Sequence, residues 1–156
     1  MPLAATKEDR FTQDFDAEDL EDARFRAFFS HWESLKTDVG VPASSFDLLA
    51  LPPAFLPLIT VIDVQPDGGL HIRLIGTEMA DQAISELTGK FIQDLAGSEE
   101  VVKRIQVAIA TGHPYFSDVQ LSWARNKWRR SQSLVCPFVD APSRRVSLIV
   151  ALSLIR

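Results

Sequence analysis

Residues 146–155 constrain the fold most strongly, because they are apolar or small on both sides of a strand. One face consists of Val146, Leu148, Val150, Leu152 and Leu154. The other face consists of Ser147, Ile149, Ala151, Ser153 and Ile155. Strands that are buried on both faces are typical of the centre of a sheet. The sequence therefore predicts a central strand with other elements packed on each side of it.

Four more segments are predicted to be strands, at residues 58–64, 70–75, 115–123 and 128–138. The turn at 66–69 (Pro-Asp-Gly-Gly) joins the first two into a hairpin. Between the second and third, the pattern is helical, with short pieces at 78–84 and 90–95 and a longer helix from Ser98 to Gly112. Thr77 is predicted to cap the first piece. This order predicts an α+β fold with an antiparallel sheet and the helical block on one face.

The N-terminal third is predicted to hold a mobile acidic tail at 1–16, and a helix with a Pro-rich linker at 17–57. Asp16 is a good helix N-cap, and Gly40 and Pro42 would end the helix. Its apolar stripe contains Phe25, Phe28, Phe29 and Trp32. The stripe covers the sheet of its own chain or pairs with a second copy, and we favour a homodimer. Residues 58–156 form the remaining domain.

Composition excludes several classes of protein. A chain of 156 residues is expected to form one domain. Its one cysteine, Cys136, excludes an internal disulfide and a zinc site built from several cysteines. No N-terminal apolar segment suggests a signal peptide, and no stretch approaches the ~18 apolar residues of a membrane span. We therefore expect a cytoplasmic protein.

Two short patterns resemble a PAS domain. The run Ile-Arg-Leu-Ile-Gly-Thr at 72–77, followed by Leu-Thr-Gly-Lys at 87–90, is similar to a pattern of a PAS subfamily common in alphaproteobacteria. Residues 134–138 (Leu-Val-Cys-Pro-Phe) resemble a later strand of that subfamily, and Trp32 and Pro42 resemble its upstream helix and linker. The resemblance implies five strands in the spatial order 2-1-5-4-3, with the helical block closing a cavity against one face.

The resemblance also implies a function. It suggests a stand-alone sensory or protein-interaction module of bacterial signalling, with no output domain of its own. A small ligand or partner would bind between the helical block 77–111 and the sheet. Binding would then shift the flanking helix at 18–38 and alter contacts with a second copy or a signalling protein.

The candidate ligand-binding residues are Arg73, Thr77, Met79, Phe91, Tyr115 and Leu121. Arg73 or Thr77 would face the cavity and bind an anionic or polar group. The alternative, which we favour, is that Arg73 pairs across the hairpin or with Glu78 while Thr77 only caps a helix. The apolar candidates would line a pocket or fill a solid core. Gly76 and Gly89 are predicted to be structural, at corners where a positive φ is convenient.

No haem, flavin or metal is expected. The resemblance implies that a flavin-binding light sensor would carry a cysteine in an Asn-Cys-Arg motif on a helix, whereas Cys136 lies in a predicted strand. A haem-binding member would need a histidine on the long helix, and His31, His71 and His113 all lie outside it. These three are also too dispersed for a metal site.

An enzyme is a second hypothesis, and a pure dimerisation scaffold is a third. A small cone-shaped α+β isomerase or dehydratase would have a similar set of elements and one buried aspartate or histidine. The candidates are Asp63, Glu78, Asp81 and Asp118, but no catalytic motif accompanies them. A buried carboxylate with a perturbed pKa in a cleft would support this hypothesis.

Charge is divided unequally along the chain. Residues 1–22 carry eight acids against two bases, and residues 119–156 carry seven bases against one acid. The run at 125–130 (Arg-Asn-Lys-Trp-Arg-Arg) has the composition of a nucleic-acid patch. The pI of about 5.1 argues against nucleic acid and favours a solvated turn. A third interpretation is that the acidic segment 14–22 docks on this basic hairpin.

Overall fold

The fold is built on one antiparallel sheet. The structure is a computed structural model that describes residues 8–83, 86–121, 123 and 129–156. In these residues the sheet has six strands in the order β1-β4-β5-β6-β2-β3. The strands are β1 (Arg10–Thr12), β2 (Ile59–Val64), β3 (Leu70–Ile75), β4 (Tyr115–Gln120), β5 (Arg130–Asp140) and β6 (Arg145–Ile155). The predicted order 2-1-5-4-3 corresponds to β3-β2-β6-β5-β4 and is confirmed, with β1 added beside β4.

The strand β6 is central, as predicted. It pairs with β5 on one side and β2 on the other. Every residue from 148 to 153 is buried. This burial is possible because different elements cover the two faces of the sheet, which we call the outer face and the inner face.

The prediction of an unstructured tail over 1–16 is wrong for β1. Phe11 lies opposite Ser117 of β4, and its ring packs 4.9 Å from that of Tyr115. The Asp9 carboxylate accepts hydrogen bonds from the backbone of Gln120 (3.0 Å) and from Arg130 (3.2 Å). An acidic residue of the N-terminus, Asp9, therefore contacts Arg130, which is one end of the basic run. Asp9 lies before the segment 14–22 for which the docking was predicted. Most of that predicted basic patch, residues 125–128, lies outside the described residues.

The first helix begins later than predicted. The capping box at Asp16 closes only one 3-10 turn, Ala17–Asp19. Asp22 then caps α1 (Ala23–Ser34) by accepting a hydrogen bond of 2.8 Å from the Arg24 backbone. The charge pattern predicted one helix from Asp16. Because Asp16 and Asp22 both act as N-caps, the segment instead forms a 3-10 turn followed by α1.

The α1 stripe packs on the outer face of the sheet. Phe25, Phe28, Phe29 and Trp32 are all buried, and the Trp32 indole donates a 2.9 Å hydrogen bond to the Pro137 carbonyl. The Pro-rich linker extends this layer with 3-10 turns at Ala43–Ser45, Leu48–Ala50 and Pro53–Leu58. The prediction of these four side chains as a dimer or partner interface is therefore wrong, because the chain's own sheet already covers them.

The helical block lies on the inner face. It consists of α2 (Thr77–Ala80), a 3-10 turn at Ile92–Asp94, and α3 (Glu99–Thr111). Gly112 ends α3 with a left-handed φ of 69°, as predicted. The cap of α2 is Gly76, so Thr77 is the first helical residue and not the predicted cap. No helix in the described part of the chain is long and apolar enough to cross a membrane.

Candidate ligand cavity on the inner face

A cavity of about 100 Å³ lies between the helical block and the inner face. The helical side supplies an apolar wall: Met79, Leu87, Ile92, Leu95, Val101 and Ile105. In α3, Val101 and Ile105 are four positions apart, so they lie on one face of the helix and both line the cavity. The cavity could hold only a small molecule, since an engineered cavity of roughly 150 Å³ accommodates benzene.

The floor of the cavity is one row of residues paired across four strands. Tyr115 of β4 lies opposite Val135 of β5, Val135 opposite Ala151 of β6, and Ala151 opposite Thr60 of β2. Three strand spacings separate the two ends of the row, roughly 14 Å between Cα atoms. The two polar ends therefore flank a middle of smaller side chains, and Ala151 leaves the space above it open.

A second row carries hydroxyl groups. Ser117, Ser133 and Ser153 lie opposite one another on β4, β5 and β6. The Ser133 and Ser153 hydroxyls are 2.7 Å apart, and the Ser131 and Ser133 hydroxyls are 3.1 Å apart. These serines line the cavity, so the sheet presents a row of hydroxyl groups to it.

Thr60 is the one buried side chain without a hydrogen-bond partner among the described residues. It is only 8% exposed, and it lines the cavity at the end of the floor row. A buried hydroxyl without a partner typically costs about 1–3 kcal/mol. Such a group is a candidate contact for a ligand, because a ligand would supply the missing hydrogen bond.

Arg104 of α3 lines the cavity near Tyr115. Burial raises the pKa of the Tyr115 hydroxyl well above its ordinary value, and the nearby Arg104 guanidinium opposes this effect. Tyr115 is therefore a neutral hydrogen-bonding group at physiological pH. Together, Arg104 and Tyr115 form a charged and polar end to the cavity.

The predicted site residues divide into two groups. Met79, Tyr115 and Leu121 line the cavity. Arg73, Thr77 and Phe91 are not among its lining residues.

Arg73 and Phe91 lie elsewhere for visible reasons. The Arg73 side chain is 54% exposed and binds the Asp63 carboxylate across the hairpin, with a 3.0 Å bond from Nε. The favoured alternative for Arg73 is thus confirmed. Phe91 is 38% exposed and packs on His71, with ring centres 5.3 Å apart. Arg73 belongs to β3, and Phe91 belongs to the helical block and bridges to His71 of β3, so neither is part of the cavity floor.

Three features of the cavity were not predicted from the sequence as parts of a binding site: Thr60, Arg104 and the serine row. The serines left one detectable signal, because Ser131 and Ser133 are two positions apart in a strand and therefore share one of its faces. Thr60 looks like any β-branched strand residue. Arg104 follows Lys103 on an amphipathic helix, so its position at the edge of the apolar face is not evident from spacing alone.

The residues of the cavity do not fit a flavin of the kind that light-sensing PAS domains bind. Pockets for such large ligands usually measure roughly 300–1,000 Å³. Cys136 is buried on the outer face, away from the cavity, and burial raises the pKa of its thiol. No thiol of the described residues therefore reaches the cavity, which lacks the cysteine that the resemblance would require.

The described residues that line the cavity include no carboxylate and no histidine. In the part of the chain that the structure describes, no three potential ligand side chains come together. Of the four candidate carboxylates, only Asp118 is buried. It points to the outer face and binds Arg130 (3.0 Å) and Gln132 (3.2 Å), so it supports the sheet instead of a cleft.

Replacing Thr60 by valine tests the unpartnered hydroxyl. We expect the Thr60→Val variant to be more stable than the wild type, by about 1 kcal/mol or more, because it removes a buried polar atom without a partner. Urea denaturation would measure this change. A loss of stability would mean that the hydroxyl has a hydrogen-bond partner in solution.

Comparisons with known proteins support the fold. No protein-family model matches the chain, and no curated protein matches it significantly in sequence. A fungal LOV domain photoreceptor is similar in structure, with 15% identity and a TM-score of 0.50, over 82% of this chain and 89% of that chain. An RNA-binding Light-Oxygen-Voltage receptor also matches, with 21% identity and a TM-score of 0.47, over 72% of this chain. The match spans only 35% of that receptor. LOV domains belong to the PAS superfamily, and the chain has a PAS-like α+β fold.

Proposed function

We propose that this protein is a PAS-like sensory or protein-interaction module of bacterial signalling that binds a small molecule in the inner-face cavity. The resemblance of residues 72–77 and 87–90 to an alphaproteobacterial PAS subfamily supports this assignment. Structural similarity to LOV domains makes a sensory role the natural expectation for the fold. The module acts in the cytoplasm.

The observation that carries the proposal is the set of hydroxyl groups that the sheet presents to the cavity. A space left by imperfect packing would be expected to have an apolar lining. Here Thr60 presents an unpartnered hydroxyl, and three paired serines line one side. Polar groups of this kind are costly in an empty core and useful in a binding site. Among the described lining residues there is no carboxylate and no histidine, so a binding role is favoured over an enzyme.

Tyr115 connects the cavity with β1 near the N-terminus. It lines the cavity and also contacts Phe11 of β1, a three-residue edge strand. We propose that ligand binding repositions Tyr115 and so changes how β1 sits on the sheet edge. A second copy or a signalling partner would then contact this edge instead of the buried α1 stripe.

Filling the cavity should abolish ligand binding. Leucine in place of Ala151 adds three carbon atoms above the middle of the floor. In a thermal-shift experiment, the small-molecule fraction of a bacterial cell extract should raise the melting temperature of the wild-type full chain. The Ala151→Leu variant should show no such rise.

The matched control is Ala110→Leu, which makes the same change at an exposed position of α3. It should respond to the extract as the wild type does. Circular dichroism would establish that both variants are folded. An equal rise in all three proteins would place the binding outside the cavity, and no rise in the wild type would contradict a ligand-binding role.

A further inference from the structure

Arg104 is the only charged residue among the described residues that line the cavity. No carboxylate of the described residues forms an ion pair with it. All 21 aspartates and glutamates of the chain fall within the described residues, so the statement covers every acidic side chain. The neighbouring Lys103, in contrast, pairs with Glu100 at 3.2 Å. A half-buried guanidinium therefore stands at the cavity without an acidic partner, in a chain of net charge -5.

Such an arrangement favours an anionic ligand group. A guanidinium has five donors in a planar fork that matches a carboxylate, and such hydrogen bonds are about twice as strong as neutral ones. Tyr115, which lies near Arg104, adds a neutral hydroxyl at the same end. In a space with low dielectric constant, an incoming carboxylate would gain more from this contact than it would in water.

At the opposite end of the floor row, the ligand would need a second polar group that is neutral. Thr60 lies three strands away from Tyr115 and has no partner for its hydroxyl. The floor between them, Val135 and Ala151, is apolar and suits a short carbon chain. The volume of about 100 Å³ limits that chain to a few carbon atoms.

We propose that the cavity ligand is a small carboxylic acid with a hydroxyl or keto group on a short carbon chain. The carboxylate binds Arg104 and Tyr115, the chain lies over Val135 and Ala151, and the second polar group binds Thr60. This inference rests on the proposed function, since it names the ligand class of the same cavity.

The test uses three probes with one carbon skeleton: 3-hydroxybutyrate, butyrate and 1,3-butanediol. Thermal shift and isothermal calorimetry on the full chain should show binding of 3-hydroxybutyrate, weaker binding of butyrate, and none of the diol, which lacks the carboxylate. The Arg104→Gln variant should lose at least about tenfold in affinity for both acids, the size expected for one charge-assisted contact. Arg104→Lys keeps the charge but not the fork, and should fall between the two.

Two controls separate specific from general effects. Lys103→Gln removes one positive charge from an exposed position of the same helix and should leave the affinity unchanged. Thr60→Val should remove the advantage of 3-hydroxybutyrate over butyrate while leaving butyrate binding intact.

The outcomes also separate this inference from the proposed function. Equal binding of the diol and the acids would overturn the carboxylate assignment, as would equal losses in the Arg104→Gln and Lys103→Gln variants. If the cell extract stabilises the wild type but not Ala151→Leu, while none of the three probes binds, the ligand class is wrong and the ligand-binding role stands. If neither the extract nor any probe binds, both proposals are wrong.

Discussion

Replacing Gly76 by alanine should destabilise the protein strongly. A Cβ atom at this position would lie 2.5 Å from the carbonyl oxygens of both Leu56 and Pro57. These are backbone atoms, so no side chain can rotate to make room. Overpacking usually costs about 1–3 kcal/mol, and we expect about 3 kcal/mol or more here because the contacts are rigid. Urea denaturation of the two proteins would measure the loss.

The matched control is the other glycine of the same sequence pattern. Gly89 has a φ of +86° and nothing within 4 Å of where its Cβ would be, so Gly89→Ala should cost only the left-handed backbone strain, about 1 kcal/mol. Gly76 has a φ of -72°, so the predicted need for a positive φ is wrong there and right at Gly89. Equal losses in the two variants would contradict the close approach of the linker to α2.

Truncating Trp32 should have a comparable or larger effect. Its ring is buried on the outer face, and its indole donates a hydrogen bond to the Pro137 carbonyl. Substitution of a buried aromatic residue by alanine costs about 3–5 kcal/mol, and we expect Trp32→Ala to fall in this range. Trp32→Phe keeps most of the apolar contact but loses the hydrogen bond, and should cost about 1–3 kcal/mol.

This prediction also distinguishes the two readings of the aromatic stripe. If α1 packs on its own sheet, the midpoint of urea unfolding should not depend on protein concentration. Trp32→Ala should then lower the stability without changing the oligomeric state. A concentration-dependent midpoint, together with dissociation of a dimer in the variant, would mean that the α1 stripe packs against a second copy. Analytical ultracentrifugation of both proteins would give the oligomeric state.

Much of the fold could be predicted from the sequence, because hydrophobic periodicity reports directly on burial. The two apolar faces of residues 146–155 predicted that β6 lies at the centre of the sheet. After Gly76 the spacing of apolar residues changes from that of a strand to that of a helix, which marked the start of the helical block. The strand β1 was missed because three residues at a sheet edge carry no periodic signal. Residues 9–12 are held by partners more than 100 positions away in the chain, such as Tyr115 and Arg130.

The cavity was harder to predict, since its residues come together through strand register. Thr60 and Tyr115 share one row only because β5 and β6 lie between their strands, in a register that no local pattern specifies. For Arg73 the sequence left two interpretations open, and the favoured one is confirmed. The Arg73 side chain pairs with the Asp63 carboxylate across the hairpin and does not bind an anion in the cavity.

Ligand binding in the inner-face cavity is tested most directly by amide NMR spectra of the full chain during a titration with 3-hydroxybutyrate. We expect shifts concentrated at Thr60, Arg104, Tyr115 and Ala151, with a second group in β1 because Tyr115 contacts Phe11. The Ala151→Leu variant should show neither group. Shifts confined to the outer face around Phe28 and Trp32, or shifts that persist in Ala151→Leu, would contradict a ligand site in the inner-face cavity.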